Sequence, residues 1–187
     1  MPSIKDAKIA ILSTDGFEQD ELIKPLEQLK AAGAQVHVVS LKDGTITGWD
    51  QDHWDKKVPV DRTLDAVSVG DYDALVLPGG QINPDKLRAE PQVVEFVRAF
   101  YQSKKPLAAI CHAPWLLIEA GVVKDRQLTS FNSIKTDVIN AGGNWVDREV
   151  VVDEGLITSR NPGDIPAFVA KIIEEVEEGR HQDRQAA

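Results

Sequence analysis

The chain has 187 residues, of which 42% are hydrophobic and 27% charged, and its formal net charge is −9. This composition is typical of one soluble globular domain, and the acidic balance argues against nucleic acid or anionic membranes as partners, because both bind clustered Lys and Arg. Cys111 is the single cysteine and cannot form an intrachain disulfide, and the charged N-terminus lacks the apolar run of a signal peptide. We therefore expect a cytoplasmic protein that is not bound to a membrane.

The first half of the chain predicts alternating strands and helices with one interruption. Short connections between the first elements indicate a βαβ unit, in which the strands are parallel and the crossover is right-handed. The stretch 43–68 has Gly, Trp and Pro residues without a helical period, and we interpret it as additional short strands or a hairpin. The predicted strands are 8–13, 35–41 and 73–78, and the predicted helices are 22–32, bent or shortened at Pro25, 84–89 and 91–103.

The second half of the chain continues the alternation. Residues 106–110 form a buried strand that leads into a helix from 113 or 114 to 120, and 134–141 and 165–178 are helices. Residues 145–152 and 156–159 are interpreted as a strand pair. The pattern predicts one α/β domain over residues 1–178, a sandwich of helices on a mostly parallel sheet. The polar residues 179–187 are expected to be a frayed tail.

Three predicted strand ends carry chemically suggestive residues. They are the acidic stretch at Glu18, the pair Gly79-Gly80, and Cys111-His112. Sites in open α/β sheets form at the carboxyl ends of the strands, so parallel strands would bring the three together at one edge. A cysteine at a strand-to-helix turn faces free N–H groups, which favour the nucleophilic thiolate. A small buried hydrophobic cysteine is the alternative.

Glu18 is predicted to face Cys111, where burial would raise its pKa and a protonated carboxyl could donate a hydrogen bond to the thiolate. A first-turn helix acid is the alternative. The backbone N–H groups of Gly79 and Gly80, with that of His112, could hold an oxyanion. Side chains of consecutive residues point apart, so His112 cannot be assumed to reach the sulfur of Cys111.

An acid from elsewhere in the chain could orient His112 as a base, and Asp85 is one candidate. No pair among His37, His53 and His181 has metal-ligand spacing, and the nucleotide-binding glycine motifs are absent from the sequence. We therefore expect neither a metal nor another cofactor.

Several motifs together resemble the PfpI-type intracellular protease family. These are AICHAPW at 109–115, FE at 17–18 and LPGG at 77–80, with further similarity at 44–48, 139–142 and 159–162. The family belongs to the superfamily of the parkinsonism-associated deglycase and is related to class I glutamine amidotransferases. The resemblance spans nearly the whole chain.

The resemblance implies a flavodoxin-like fold with a nucleophile elbow at Cys111 and a hydrogen bond from Glu18 to its sulfur. It also implies self-association as a dimer or hexamer, and in the hexameric members an acid from a neighbouring subunit completes the base at the position of His112. Asp85 occupies the position of that acid, where the protease type has Glu, and Ala113 stands where the family usually has Gly. The shorter Asp85 must reach farther, and the methyl group of Ala113 could narrow the pocket or tilt His112.

Three functions are compatible with these residues. The first is a stress-associated thiol hydrolase, in which Cys111 attacks reactive aldehydes or early glycation adducts on proteins and water releases a hydroxy acid. The second is a cysteine peptidase using Cys111, His112 and Asp85 of another subunit. The third is a non-enzymatic stress protein, either a holdase or a redox sensor that requires a thiol of low pKa at Cys111. The resemblance favours the first.

Overall fold

The structure, a computed structural model, describes residues 3–184. Its strands are β1 (Lys8–Leu12), β2 (Phe17–Glu18), β3 (Gln35–Ser40), β4 (Thr45–Asp50), β5 (His53–Pro59), β6 (Arg62–Thr63), β7 (Ala74–Leu77), β8 (Leu107–Ile110), β9 (Gln127–Leu128), β10 (Asn144–Trp145), β11 (Val150–Asp153) and β12 (Leu156–Ser159). Its α-helices are α1 (Gln19–Ala31), α2 (Ile82–Arg88), α3 (Pro91–Gln102), α4 (Pro114–Glu119), α5 (Lys135–Asn140) and α6 (Ile165–Glu178). Within the described residues, no helix is both long and apolar enough to span a bilayer.

The main sheet has seven strands in the order β11-β12-β8-β7-β1-β3-β6. Neighbouring strands are parallel throughout, except that β11 runs antiparallel to β12 at one edge. Parallel neighbours require crossover connections, and these carry helices onto both faces of the sheet. The predicted flavodoxin-like α/β sandwich is confirmed.

The central strands are buried on both faces. Successive residues of a strand face opposite sides, so Ile9 and Ile11 of β1 pack in the core beneath α1 and α6. Ala10 and Leu12 pack in the opposite core, which α3 and α4 cover. Burying each large aliphatic side chain contributes about 1.5–3 kcal/mol. The resulting rigid strands fix where their carboxyl ends project.

The stretch 43–68 forms the extra strands that the sequence predicts. β4 and β5 are an antiparallel hairpin, and β4 also pairs in parallel with β2. Trp49 and Trp54 meet edge to face across the hairpin, with ring centroids 5.2 Å apart. This small sheet stands beside the carboxyl edge of the main sheet because β2 follows directly from β1.

The prediction of one continuous strand over 145–152 is wrong. Asn144–Trp145 pairs in parallel with β9, and the N–H of Val146 still donates to the carbonyl of Leu128 at 3.0 Å. Only the later residues, from Val150, pair with β12. The polar residues 147–149 separate the two paired segments. A stretch that looks like one strand in the sequence therefore contributes to two different sheets.

The prediction of a frayed tail over 179–187 is wrong for the part that the structure describes, and residues 185–187 lie outside it. Arg184 is only 2% exposed. Its guanidinium donates hydrogen bonds to three backbone carbonyls, those of Tyr101 (3.2 Å), Lys105 (2.9 Å) and Glu154 (2.7 Å). These buried acceptors need donors, and the fold takes them from a segment whose composition is polar.

We expect Arg184→Ala to lower the free energy of unfolding by about 2–4 kcal/mol, since it leaves buried carbonyls without a charged donor. Urea unfolding followed by circular dichroism measures this loss. The matched control is Arg180→Ala, an exposed arginine four residues earlier, which should change the stability by no more than about 0.5 kcal/mol. If both variants unfold at the same urea concentration as wild type, the docking of this segment is contradicted.

Candidate active site

Cys111 occupies the sharp turn between β8 and α4, at the carboxyl edge of the sheet. Its φ of 64° lies in the left-handed region, which residues other than glycine rarely adopt. Backbone bonds fix the turn on both sides: the N–H of Cys111 donates to the Ser159 carbonyl (3.0 Å), and the Cys111 carbonyl accepts from the N–H of Phe131 (2.8 Å). Such strain costs on the order of 1–3 kcal/mol and persists only where the surroundings enforce it. The predicted nucleophile elbow is present.

The carboxyl group beside the thiol belongs to Glu21 and not, as predicted, to Glu18. Glu21 is fully buried and lies within hydrogen-bonding reach of Cys111. Its Oε2 accepts from the N–H of Gly79 at 3.0 Å, whereas Oε1 is buried without a partner of regular hydrogen-bond geometry. Glu18 caps α1 instead, its Oε2 accepting from the N–H of Glu21 at 2.9 Å.

Helical spacing explains why the second acid, and not the first, turns inward. Glu18 ends β2, whereas Glu21 shares the buried face of α1 with Pro25 and Leu29 at intervals of four residues. An acid on an otherwise apolar helical face is the signal in the sequence that identifies Glu21. An offset of three positions along the chain therefore places Glu18 in the cavity wall and Glu21 in the protein interior.

The two glycines after β7 have different roles. A Cβ atom on Gly79 would lie 2.4 Å from Oε2 of Glu21 and 2.6 Å from Cβ of Cys111, so only glycine fits between them. The N–H of Gly79 is bonded to Glu21 and is not available to an oxyanion, which corrects the prediction for this residue. The N–H groups of Gly80 and His112 point to the sulfur of Cys111. Of the three predicted oxyanion donors, these two therefore keep an N–H group beside the sulfur.

Burial determines the protonation of the Glu21–Cys111 pair. It raises the pKa of Glu21 well above its ordinary value, and the neighbouring charge of Glu18 raises it further. Burial also raises the pKa of the Cys111 thiol, and an ionised Glu21 adds to this increase. The N–H groups at the sulfur lower its pKa but do not outweigh the exclusion of water. Burial therefore favours the protonated forms of both groups, which is opposite in direction to the predicted bias toward thiolate.

His112 reaches the sulfur despite being its sequence neighbour. Its Nδ1 lies 3.1 Å from Sγ of Cys111, because the left-handed turn brings the two consecutive side chains together. The ring stacks on Phe131 with centroids 4.8 Å apart and meets the edge of Trp115 at 5.1 Å. Nε2 lies 3.1 Å from Oγ of Ser133. Burial lowers the pKa of His112, so the imidazole is neutral at neutral pH.

Asp85 is not joined to His112 within one chain. It lies exposed on α2, where one carboxylate oxygen accepts from Nε (3.1 Å) and Nη2 (2.9 Å) of Arg88. The guanidinium of Arg88 in turn lies 4.4 Å from the ring centroid of Trp115. A role for Asp85 in a neighbouring subunit stays a prediction.

A cavity of about 430 Å³ opens onto the thiol, a volume suited to a small molecule or a single side chain. Cys111 and His112 form part of its wall, together with Glu18, whose pKa burial raises. Trp49 from the β4–β5 hairpin and Phe131 supply aromatic walls. Sequence patterns did not identify either aromatic residue as part of a site, since both come from segments without a functional motif.

Within residues 3–184, folding brings together two groups of residues that could ligate a metal, although sequence spacing predicts none. They are Asp50 with His53 and Asp55, and Glu175 with Glu178 and His181; in each group, atoms able to ligate lie within 4.8 Å of one another. Both groups lie outside the cavity at Cys111. The expectation of a site without a metal or cofactor stays a prediction.

Comparisons with known proteins give matches over most of the chain. The model of the DJ-1/PfpI family matches residues 7–175. The protein named deglycase PfpI of Pyrococcus furiosus is 45% identical over 166 residues, 89% of this chain and 97% of that protein. General stress protein 18 of Bacillus subtilis is 44% identical over 162 residues, 86% of this chain and 92% of that protein. The crystal structure of Drosophila melanogaster DJ-1beta has a TM-score of 0.81 and 31% identity, covering 92% of this chain and 95% of that one.

The raised pKa of Glu21 predicts a specific pH dependence of stability. The folded state binds this proton more tightly than the unfolded chain, so the contribution of Glu21 to stability decreases as pH rises above about 4.3, by at most about 1.4 kcal/mol per pH unit, until the pKa of the folded carboxyl is passed. Glu21→Gln cannot ionise. It should unfold at the same urea concentration as wild type at pH 4 and at a higher one at pH 7.

The control for this experiment is Glu27→Gln, an exposed carboxyl on the same helix, which should retain the wild-type pH dependence. If stability depends on pH in the same way in wild type and Glu21→Gln, the pKa of Glu21 is the same in the folded and unfolded states. The assigned increase of this pKa would then be wrong.

Proposed function

Because this chain belongs to the DJ-1/PfpI family, we propose that it is a stress-associated thiol enzyme that acts on reactive aldehydes and on their early adducts with protein amines. The chemistry and the stress association are supported by relatives named as a deglycase and as a general stress protein. The observation that carries the proposal is the alignment of Glu21, Cys111 and His112 at a cavity with room for a small carbonyl compound.

In the first step, the thiol adds to the aldehyde carbon. The S–H bond of Cys111 breaks as Nδ1 of His112 accepts the proton, and a C–S bond forms. The carbonyl oxygen gains the electron pair and is held by the N–H groups of Gly80 and His112. The Nδ1–H of His112 then donates the proton to this oxygen, which gives a hemithioacetal and leaves the imidazole neutral. Protonated Glu21 donates to the sulfur throughout and offsets the negative charge that develops there.

With a 2-oxoaldehyde, the hemithioacetal carbon then loses its hydrogen as a proton, and the adjacent carbonyl carbon gains one. This isomerisation produces a thioester, which water hydrolyses to a 2-hydroxy acid and the free thiol. Glu18 lies in the cavity wall and has a raised pKa, so it is suited to carry the proton between the two carbons. An early adduct would react similarly after the amine has left.

A cysteine peptidase is the second candidate. Amide hydrolysis requires a base that becomes a stable imidazolium, which then protonates the departing amine. Burial of His112 opposes that charge, and the carboxylate of Asp85 is paired with Arg88 in the same chain. Peptidase activity would require Asp85 of the partner subunit in a dimer or hexamer. Aldehyde addition expels no amine, because the proton taken at Nδ1 returns to the adjacent carbonyl oxygen, and this difference favours it.

The redox-sensor hypothesis has less support from the site. Sensor cysteines combine a low pKa with access to solvent, whereas Cys111 is 5% exposed and burial raises its pKa. The raised pKa therefore argues against a sensor that depends on a resting thiolate.

Turnover of methylglyoxal to lactate tests the proposal. Cys111→Ser should abolish turnover, because the hydroxyl is a much weaker nucleophile. His112→Ala should lower kcat at least about 100-fold, since general base catalysis contributes that much or more, and Glu18→Gln should also reduce it. The control Asp85→Asn should leave aldehyde turnover unchanged.

The same variants are assayed on an unfolded fluorogenic peptide to separate the two candidate enzymes. Peptide cleavage that is faster than methylglyoxal turnover and is lost in Asp85→Asn would establish the peptidase instead. Equal methylglyoxal turnover in wild type and Cys111→Ser would eliminate the aldehyde mechanism.

A further inference from the structure

We propose that Ser133 is a positioning residue for His112 and relays the proton that Cys111 releases, so that the thiol ionises without a buried imidazolium. The proposal rests on the proposed function in one respect, namely that Cys111 is the nucleophile. It concerns how this chain activates that nucleophile with residues of its own.

Ser133 is the last member of a series of polar groups in successive contact, which begins at the buried Glu21 and continues through Cys111 and His112. Glu21 lies within hydrogen-bonding reach of Cys111, Sγ is 3.1 Å from Nδ1 of His112, and Nε2 is 3.1 Å from Oγ of Ser133. Ser133 is exposed, whereas His112 is 3% exposed and Glu21 is fully buried. The hydroxyl is therefore the end of the series that meets solvent.

The backbone holds Ser133 in place independently of its side chain. It lies in the short 3-10 turn Asn132–Ile134, directly after Phe131. The N–H of Phe131 donates to the Cys111 carbonyl at 2.8 Å, and the side chain of Ile134 is buried. The turn should therefore persist when the hydroxyl is removed, which makes the role of the oxygen testable.

A hydroxyl at Nε2 has a different effect from a carboxylate. A carboxylate would accept the Nε2 proton and stabilise an imidazolium, but in the described residues the pKa of His112 is lowered by burial without a compensating charge. A charged ring in this position would be costly. The serine hydroxyl can accept one proton and donate another. It thus supports a neutral imidazole that takes a proton at one nitrogen and releases one at the other.

The transfer balances without any other reactant than water. The S–H bond of Cys111 breaks as an Nδ1–H bond forms, and the Nε2–H bond breaks as Oγ of Ser133 accepts that proton. The original hydroxyl proton of Ser133 passes to solvent water. The products are a thiolate, a hydrated proton and a neutral imidazole in its other tautomer, and Glu21 donates its hydrogen bond to the thiolate.

Alkylation of the single cysteine by iodoacetamide measures this activation separately from turnover. At pH 7, Ser133→Ala should slow alkylation about fivefold to tenfold, the value of one hydrogen bond. Ser133→Thr keeps a hydroxyl and should react within about twofold of wild type. Asn132→Ala changes the neighbouring exposed side chain of the same turn and should also match wild type.

A proton inventory measures how many protons move during alkylation. A shift of the His112 ring in Ser133→Ala would not by itself change that number. In mixtures of H₂O and D₂O, the alkylation rate of wild type should curve with deuterium content, because more than one proton moves. The curve of Ser133→Ala should be linear, and that of Ser133→Thr should be curved again.

The results distinguish this proposal from the proposed function. Wild-type alkylation rates and curvature in Ser133→Ala would overturn the relay, even if methylglyoxal turnover depends on Cys111. Equal slowing in Ser133→Ala and Asn132→Ala would also overturn it, because packing of the turn would then be the cause. Alkylation as expected, with no methylglyoxal turnover in wild type, would overturn the proposed function and leave the relay standing.

Discussion

The close approach of two strand ends is the constraint on which the site depends. β7 and β8 are parallel neighbours, so the turns that follow them meet, and a Cβ on Gly79 would lie 2.6 Å from that of Cys111. Glycine at one turn and a left-handed residue at the other are the consequence. The carboxyl of Glu21 lies against Gly79 and accepts a hydrogen bond from its N–H group. The thiol is thereby fixed in a place that water does not reach freely.

Exclusion of water then determines the chemistry. It favours the neutral forms of Glu21, Cys111 and His112, raising the pKa of the two acids and lowering that of the base. A site of neutral groups that share protons suits addition to an aldehyde, which needs little charge separation. It is poorly suited to expelling an amine from an amide unless another charge is brought in.

Residues from outside the main sheet shape access to this site. The hairpin β4–β5 provides Trp49, and the segment after β9 provides Phe131 and Ser133. Phe131 fixes the plane of His112 by stacking, while its backbone N–H fixes the turn at Cys111. One short segment therefore supports both Cys111 and His112, although its sequence has no recognisable motif.

The sequence by itself determined the layered α/β fold and the position of Cys111 at a strand-to-helix turn. Alternating strand and helix periods, and turn residues between them, depend on local chemistry that is visible along the chain. Three-dimensional contacts decided the partners of that cysteine: Glu21 replaces Glu18 because one turn of α1 carries it inward, and His112 meets the thiol because the backbone of Cys111 is left-handed. Burial of the site raises the pKa of the thiol, whereas the sequence predicted a lowered pKa. Arg184 folds inward because distant carbonyls need a donor. Such effects depend on solvent exclusion and long-range packing, which only the tertiary structure determines.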